Sequence, residues 1–480
     1  MKNKISIALL VFCLASSLNC AAQRVSLDSC RRMAIRTNKS LKIADEAVKG
    51  AQYTKKAAFS AYLPGIDANA TYIFNQHKLS LLGEDAKLPT MAFNPATGKY
   101  EYNLVTGPDG IPVKDPSTGS YIPKEIAVIP KEALSFDTRN IFAGAITLTQ
   151  PIFMGGEIRA LNDIARFTEE ALNATRDNLT QDVIYNVDEA YWTVVSLKAK
   201  QLLAQSFYNV VDTLHSNVQA MYDEGVATRA DVLSVEVKLN EARIMLTKVD
   251  NGLSLSRMAL ASACGLPIDT EMQLEDEEGR GIGDDLPDYG FDMTDVYARR
   301  KDLEALRKGI DIMKGQEKLA MGSMLPKLGL VGAYTFSTPN LIDGFSRKLG
   351  GGFSIGAALT IPIWHWGGNY NKYRAAKSAT NAQRLLLEDM EEKVQLQVNQ
   401  ARFKFQEAFK TYEMALANMK SAEENLRCAR DGFREGVLTS NEVMTAQTGW
   451  LQANSEKIDA EIGIRLCKVY LSKVLGTLSY

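Results

Sequence analysis

Few side chains in this sequence are placed to do bond-making chemistry. Cys30, Cys264, Cys428 and Cys467 are widely separated, and their spacing fits no metal-binding pattern. His77, His215 and His365 are equally scattered, which argues against a histidine metal centre. Residues 268–292 are rich in Asp, Glu and Gly, so a carboxylate pair for acid–base work could sit there. A solvated acidic linker explains that composition more simply. The sequence contains no glycine-rich phosphate loop, no nucleophile elbow and no triad, so enzymatic activity is not expected. Two carboxylates do occupy matched settings. Asp231 follows Glu224-Gly225-Val226-Ala227-Thr228, and Glu442 follows Glu435-Gly436-Val437-Leu438-Thr439. Repeated around a narrow opening, such carboxylates attract cations and repel anions. That is a chemistry of selection.

An apolar periodicity identifies the elements that carry these residues. From Val394 through Val398, Ala401, Phe405 and Ala408 to Phe433, apolar residues recur in steps of four and three. A seam of this kind keeps one helix face against partner helices over many turns. Shifted back by 211 residues it recurs from Val183 through Val187, Ala190, Val194 and Leu197 to Tyr222, with only Gln201 and His215 polar. One long helix has been built twice. The first copy should run from about Glu157 to Asp223, on the order of 100 Å. It should turn at Glu224-Gly225-Val226 and return from about Arg229 to Ala263. The second should run from about Asn369 to Arg434, turn at Glu435-Gly436-Val437 and return from Glu442 to Leu475. At each turn Gly permits the reversal, and the apolar residue beside it has nothing of its own chain to pack on.

The rest of the chain is also duplicated. Residues 1–22 read as a secretory signal: a lysine-bearing head, the apolar run Ile5 to Leu18, and small residues before Ala22. Lipidation of Cys20 is the alternative. Residues 23–267 form a first repeat, 268–300 an acidic linker and 301–480 a second repeat. Each repeat opens with helix that stops at a Leu-Pro pair, Leu63-Pro64 or Leu325-Pro326. Alternating stretches follow, at Ile66–Phe74, Ile141–Gln150, Leu328–Phe336 and Gly352–Ile361. Their period of two and their length suit tilted membrane strands. Pro151 with Gly155-Gly156, and Pro362 with Gly367-Gly368, lead from strand to long helix, the second with one residue inserted. Trp364 and Trp366 fall at that junction and read as an interfacial girdle, with His365 as their polar neighbour. Residues 75–140 lack a helical period but carry two similar turn motifs, Asn94-Pro95-Ala96-Thr97-Gly98-Lys99-Tyr100 and Asp115-Pro116-Ser117-Thr118-Gly119-Ser120-Tyr121. They read as a large surface loop, either with small hairpins of its own or disordered.

A net charge of −2 gives no basic footprint for nucleic acid. Apart from the signal, no stretch reaches the roughly 18 apolar residues of a spanning helix. A membrane span would therefore have to be built from strands. Four strands cannot close a barrel, and an open sheet edge in lipid leaves backbone groups unsatisfied. Several copies must share one barrel. The small residues Ala143, Ala145, Thr147, Ser354, Gly356 and Ala358 on one strand face suit a watery lumen, which favours three or more copies.

With Ser26-Leu27 and Asn38, Leu63-Pro64 before a strand, Pro151 with Gly155-Gly156, and the Glu224-Gly225-Val226 tip, the chain resembles the TolC family of outer-membrane efflux channels. The resemblance covers the whole mature chain and occurs in both halves. It implies a mainly α protein with a membrane β-barrel. Three chains would share twelve strands in the outer membrane, continued by a long α-helical coiled-coil tunnel into the periplasm. Residues 268–300 and the C-terminal segment would gird the tunnel. The resemblance also implies a passive exit duct working with an inner-membrane pump and a periplasmic adaptor, without cofactors. An exit duct for type I protein secretion uses the same fold and stays open as the alternative. By the same resemblance Gly225, Val226, Thr228, Gly436, Val437 and Thr439 become adaptor-docking tips, and Asp231 and Glu442 a periplasmic gate. Pro64, Pro151, Pro326 and Pro362 become helix–barrel junctions. The family pattern has a further carboxylate where this chain has Thr445, and an arginine where it has Leu438. The closing bonds of the gate should therefore be fewer here.

Overall fold

The computed structural model describes residues 24–278, 290–340 and 346–478; the signal read over 1–22 lies outside them. Contacts divide the chain into two units, one of residues 59–158 and 321–367 and the other of the remaining stretches.

The first unit is built on one antiparallel sheet. Its strands are β1 (Gly65–Phe74), β8 (Asn140–Met154), β9 (Lys327–Thr338) and β10 (Gly350–Thr360), in the order β1-β8-β9-β10. The register puts Ile66, Tyr72, Phe142, Ile146, Tyr334 and Ile355 on one face. Asp67, Thr71, Ala143, Thr147, Ala333 and Ser354 lie on the other. The alternation in the sequence is thus the alternation of the pleat. β8 does not close at Gln150-Pro151 as its sequence suggests. Its ladder with β9 shifts register between Pro151 and Phe153, then continues to Met154. Proline has no N–H for the ladder, and a bulge accommodates it.

Between β1 and β8 the long loop is ordered as nested ladders. β2 (Leu79–Ser80) pairs with β7 (Ser135–Phe136), and β3 (Ala86–Pro89) with β6 (Ile126–Ile129). β4 (Met91–Asn94) and β5 (Lys99–Tyr102) form a hairpin inside them. The two similar motifs fold alike. Gly98 and Gly119 donate to the carbonyls of Asn94 and Asp115, each at 2.8 Å, and both glycines have positive φ. The Asn94 and Asp115 side chains accept from the backbone N–H of Ala96 and Ser117 at 2.9 and 2.8 Å. The turn chemistry, not a hydrophobic core, orders this loop.

The second unit holds the helices: α1 (Leu27–Thr37), α2 (Lys39–Ser60), α3 (Glu157–Asp223), α4 (Arg229–Ala263), α5 (Met293–Arg299), α6 (Lys301–Gly322), α7 (Gly368–Arg434) and α8 (Ser440–Val474). The seam of α3 buries Val187, Val194 and Val211 completely, among residues that include Val232, Val235 and Leu260 of α4. In α7, Val394 and Val398 are fully buried beside Leu303 of α6 and Leu471 of α8. Each such side chain contributes about 1.5–3 kcal/mol of burial, so the seams dominate the stability of this unit. One of the two polar breaks in the first seam is satisfied across the helix pair, where Gln201 Nε2 donates to Asp250 Oδ1 at 2.7 Å.

The duplication is metrically regular. α7 and α8 repeat α3 and α4 at a shift of 211 residues, with 67 and 35 residues in both copies. α6 and the start of β9 repeat α2 and the start of β1 at a shift of 262. The difference, 51 residues, is the excess length of the first loop. The shift of 211 also holds through the strand-to-helix junction, so no residue is inserted there. Gly155 and Gly156 have φ of 61° and 82°, and the residues that take those conformations in the second copy are Trp366 and Gly367, at 48° and 73°. Gly155 is required, because a Cβ there would fall 2.5 Å from the Gly322 carbonyl oxygen.

Residues 268–278 are more than a solvated linker. Met272 and Leu274 are buried, and Val25 forms a parallel bridge to Leu274. Residues 279–289 of the acidic stretch lie outside the described residues.

One buried ion pair joins α1 to α3. Arg31 Nε and Nη2 donate to the two oxygens of Asp188, Nε at 2.7 Å, and Asp188 is completely buried. Burial pushes the Asp188 carboxyl up, and the guanidinium opposes that. Arg31→Met should therefore strand a buried carboxylate and cost roughly 3 kcal/mol, most of which Arg31→Met/Asp188→Leu should restore. Thermal unfolding in detergent checks this. Shortening residues 75–139 to the length of the second-repeat loop should leave barrel insertion intact, as measured by protease-resistant assembly in membranes.

Candidate functional site

The candidate residues cluster at the two helix turns. In the first, Gly225 has a φ of 78°, and the N–H groups of Gly225 and Val226 donate to the carbonyls of Tyr222 and Met221 at 2.9 and 2.8 Å. In the second, Gly436 has a φ of 73°, and Gly436 and Val437 donate to Phe433 and Gly432 at 3.1 and 2.9 Å. Both are glycine C-caps that satisfy the last carbonyls of a long helix. Val226 and Val437 project into solvent, 73% and 78% exposed. Leu438, at the position of Ala227, instead packs on Gly432, where a Cβ would lie 2.9 Å from Leu438 Cδ1.

Thr228 and Thr439 start the return helices. Asp231 N donates to Thr228 Oγ1 at 3.2 Å, and Asp231 Oδ2 accepts from Thr228 N and Oγ1 at 2.9 and 2.6 Å. Glu442 repeats the arrangement with Thr439 at 3.4, 2.7 and 2.9 Å. Both are complete capping boxes. The donated bonds hold the Asp231 and Glu442 carboxyls below their ordinary range, so both stay charged at neutral pH. Their spacing from the turn is thus dictated first by helix capping.

The two turns lie at the same end of the helical unit. Val232 and Val235 of α4 share one apolar cluster with Met444 of α8, with Phe433 packed against it. A contact the periodicity does not reveal sits beside them. Gln447 is 1% exposed and accepts from Arg430 Nη2 at 2.9 Å, tying α7 to α8. Thr445, where the family pattern has a carboxylate, donates to its own helix at Asn441 O, 2.9 Å.

Pro64 and Pro326 immediately precede β1 and β9, Pro362 follows β10, and Pro151 lies at the β8 bulge. Trp364 and Trp366 are 70% and 88% exposed, with ring centroids 5.9 Å apart and planes at 71°. Among the described residues, no group of three or more His, Cys, Asp or Glu side chains is arranged to hold a metal ion, and no helix is long and apolar enough to cross a membrane. The two helix turns offer exposed apolar residues and fixed carboxylate charges.

Comparison with known proteins agrees with this inventory. The fusaric acid resistance protein FusA of Burkholderia cepacia is 24% identical over 274 residues, spanning 54% of this chain and 48% of that protein. The open-state MtrE outer membrane channel of Neisseria gonorrhoeae superposes with a TM-score of 0.70 at 17% identity, over 94% of this chain and 91% of that one. The CmeC outer membrane channel of Campylobacter jejuni gives 0.69 at 17% identity, over 94% and 85%. At these identities the likeness establishes the TolC-like fold. The family model for outer membrane efflux proteins matches residues 128–266 and 294–477. The family consists of channels rather than enzymes. With segments of both repeats matched and the fold shared, the chain belongs to the outer membrane efflux protein family.

Proposed function

We propose that three copies of this chain form one outer-membrane channel, a passive exit duct for a tripartite efflux pump. The observation that carries the reading is the four-stranded sheet. Among the described residues its outer strands β1 and β10 each have one side without a partner strand, and one of its faces is apolar. An unpaired backbone edge costs several kcal/mol per group in hydrocarbon, so the edges must be paired with other copies. Three copies give twelve strands, enough to enclose a lumen lined by the small and polar face. The helical unit then supplies the tunnel through the periplasm. Trp364 and Trp366 serve as the interfacial girdle, and Pro64, Pro151, Pro326 and Pro362 mark the passage between barrel and tunnel.

The turns with Gly225, Val226, Thr228, Gly436, Val437 and Thr439 are proposed to dock the periplasmic adaptor, which links the duct to an inner-membrane pump. Val226 and Val437 support this, because apolar residues this exposed at a helix turn are suited to burial against a partner. Asp231 and Glu442 are proposed as carboxylate rings at the entrance, kept ionised and held in place by the caps they complete. The relative named for resistance to fusaric acid, a small molecule, supports small-molecule efflux over protein secretion.

Two outcomes test the reading. Val437→Asp should abolish drug resistance in the native host while the purified oligomer keeps its size; unchanged resistance would remove the tip from docking. A substitution at Gly436 is less informative, since its φ of 73° would strain any side chain. Glu442→Gln keeps a residue that can complete the capping box but removes the charge. Reversal potentials in planar bilayers should therefore shift toward non-selectivity with the turn still folded. Wild-type selectivity would place Glu442 away from the entrance.

A further inference from the structure

The regular duplication allows contacts within the chain to be mapped onto contacts between copies. The mapping can be checked where both members lie in one chain. Adding 262 to β1 and 211 to β8 turns the pair Gly65↔Thr149 into Lys327↔Thr360, and Phe74↔Asn140 into Phe336↔Gly351. Both are observed pairs of β9 and β10, so the register is reproduced without slip. The helices obey the same rule. The Lys55–Glu169 pair between α2 and α3, at 2.8 Å, maps onto Glu317 and Thr380 of α6 and α7, whose side chains are 3.4 Å apart.

Among the described residues the β8–β9 ladder has no counterpart within the chain. Mapping β8 forward by 211 lands on β10, and mapping β9 back by 262 lands on β1, the two strands at the outer edges of the sheet. We propose that β10 of one copy pairs antiparallel with β1 of the next in the register of β8 with β9. The proposal rests on the shared-barrel reading above and adds to it the residues that meet. Thr147↔Ala333 becomes Ala358 opposite Thr71 of the neighbour, and Leu148↔Gly332 becomes Leu359 opposite Ala70. Past the bulge, Phe153↔Leu328 becomes Trp364 opposite Ile66. The parity is right throughout. Ala358 and Thr71 belong to the small, polar face, while Leu359 and Ala70 belong to the apolar one. A register slipped by one residue would bring apolar side chains opposite lumen-facing ones.

An independent observation in the helical unit points the same way. Within the chain α3 meets α6 with Ile164 against Gly315, where a Cβ would fall 2.5 Å from Ile164 Cγ1. The mapped contact joins α7 of one copy to α2 of the next, with Ala375 against Tyr53. The large and small partners have changed sides, so one bulky and one small residue still meet. Both are exposed within the chain, Tyr53 by 69%.

The test is disulfide trapping in the full-length protein in membranes. Copper phenanthroline serves as the oxidant: as the S–S bond forms, each thiol pair passes two electrons to two Cu(II) centres and releases two protons to water. Ala358→Cys/Thr71→Cys should convert the monomer band on denaturing gels into covalent dimer and trimer, and either single variant should not. Ala358→Cys paired with Asn69→Cys or with Ile73→Cys should cross-link at least ten-fold less. Tyr53→Cys/Ala375→Cys gives the same readout from the helices if a strand variant inserts poorly. Preferred trapping by either slipped pair, or no trapping by any pair, overturns the register. Glutaraldehyde cross-linking of the unmodified protein separates the two levels of failure. A trimer without the predicted disulfide refutes the register alone, whereas a monomer refutes the shared barrel as well.

Discussion

The structure depends on the backbone hydrogen bonds at the two edges of a four-stranded sheet. Within lipid no water can satisfy the outward N–H and C=O groups of β1 and β10. Nothing in the chain itself covers them among the described residues. On the proposed shared barrel, oligomerisation is a condition of insertion rather than an addition to a finished fold. In the proposed barrel the alternation of large apolar and small polar residues decides which face of the sheet meets lipid. The same alternation fixes register, because a one-residue slip exchanges the faces.

The helices answer a second constraint, that of reach. A 67-residue helix draws most of its stability from packing an apolar face on partners along its length. The four-three seam provides them by burying valine and alanine against a return helix half as long and against the short helices. At the far end the return must be tight. A positive-φ glycine closes one helix, a threonine cap opens the next, and the carboxylate three residues on completes the cap. That local requirement places a charge at the same point of each hairpin. On the proposed function, residues that serve capping also select ions, and a turn that cannot bury its own valine binds a partner.

Much of this was legible in the sequence because it is periodic. The seam, the two glycine turns and the four alternating stretches each repeat a spacing that only one local structure satisfies. What was not legible depends on pairing across distance or on conformation hidden behind composition. Arg31 and Asp188 are 157 residues apart, and neither position announces the other. Gln447 is polar in a helix of mixed character, and only the fold shows it buried against Arg430. The Gly367-Gly368 pair resembles Gly155-Gly156, yet the structural equivalent of Gly155 is Trp366. Composition suggested an insertion there, whereas the backbone dihedrals show none. The capping role of Asp231 and Glu442 was written in the Thr-x-x-Asp and Thr-x-x-Glu spacing, a signal that the charge itself obscured.

The copy number of the intact channel tests the account most directly. Native mass measurement of the detergent-purified protein, without cross-linker, should return three chains and no smaller species at any concentration that preserves the fold. A folded monomer or dimer would contradict the account, because the edges of β1 and β10 would then have found another way to satisfy their hydrogen bonds.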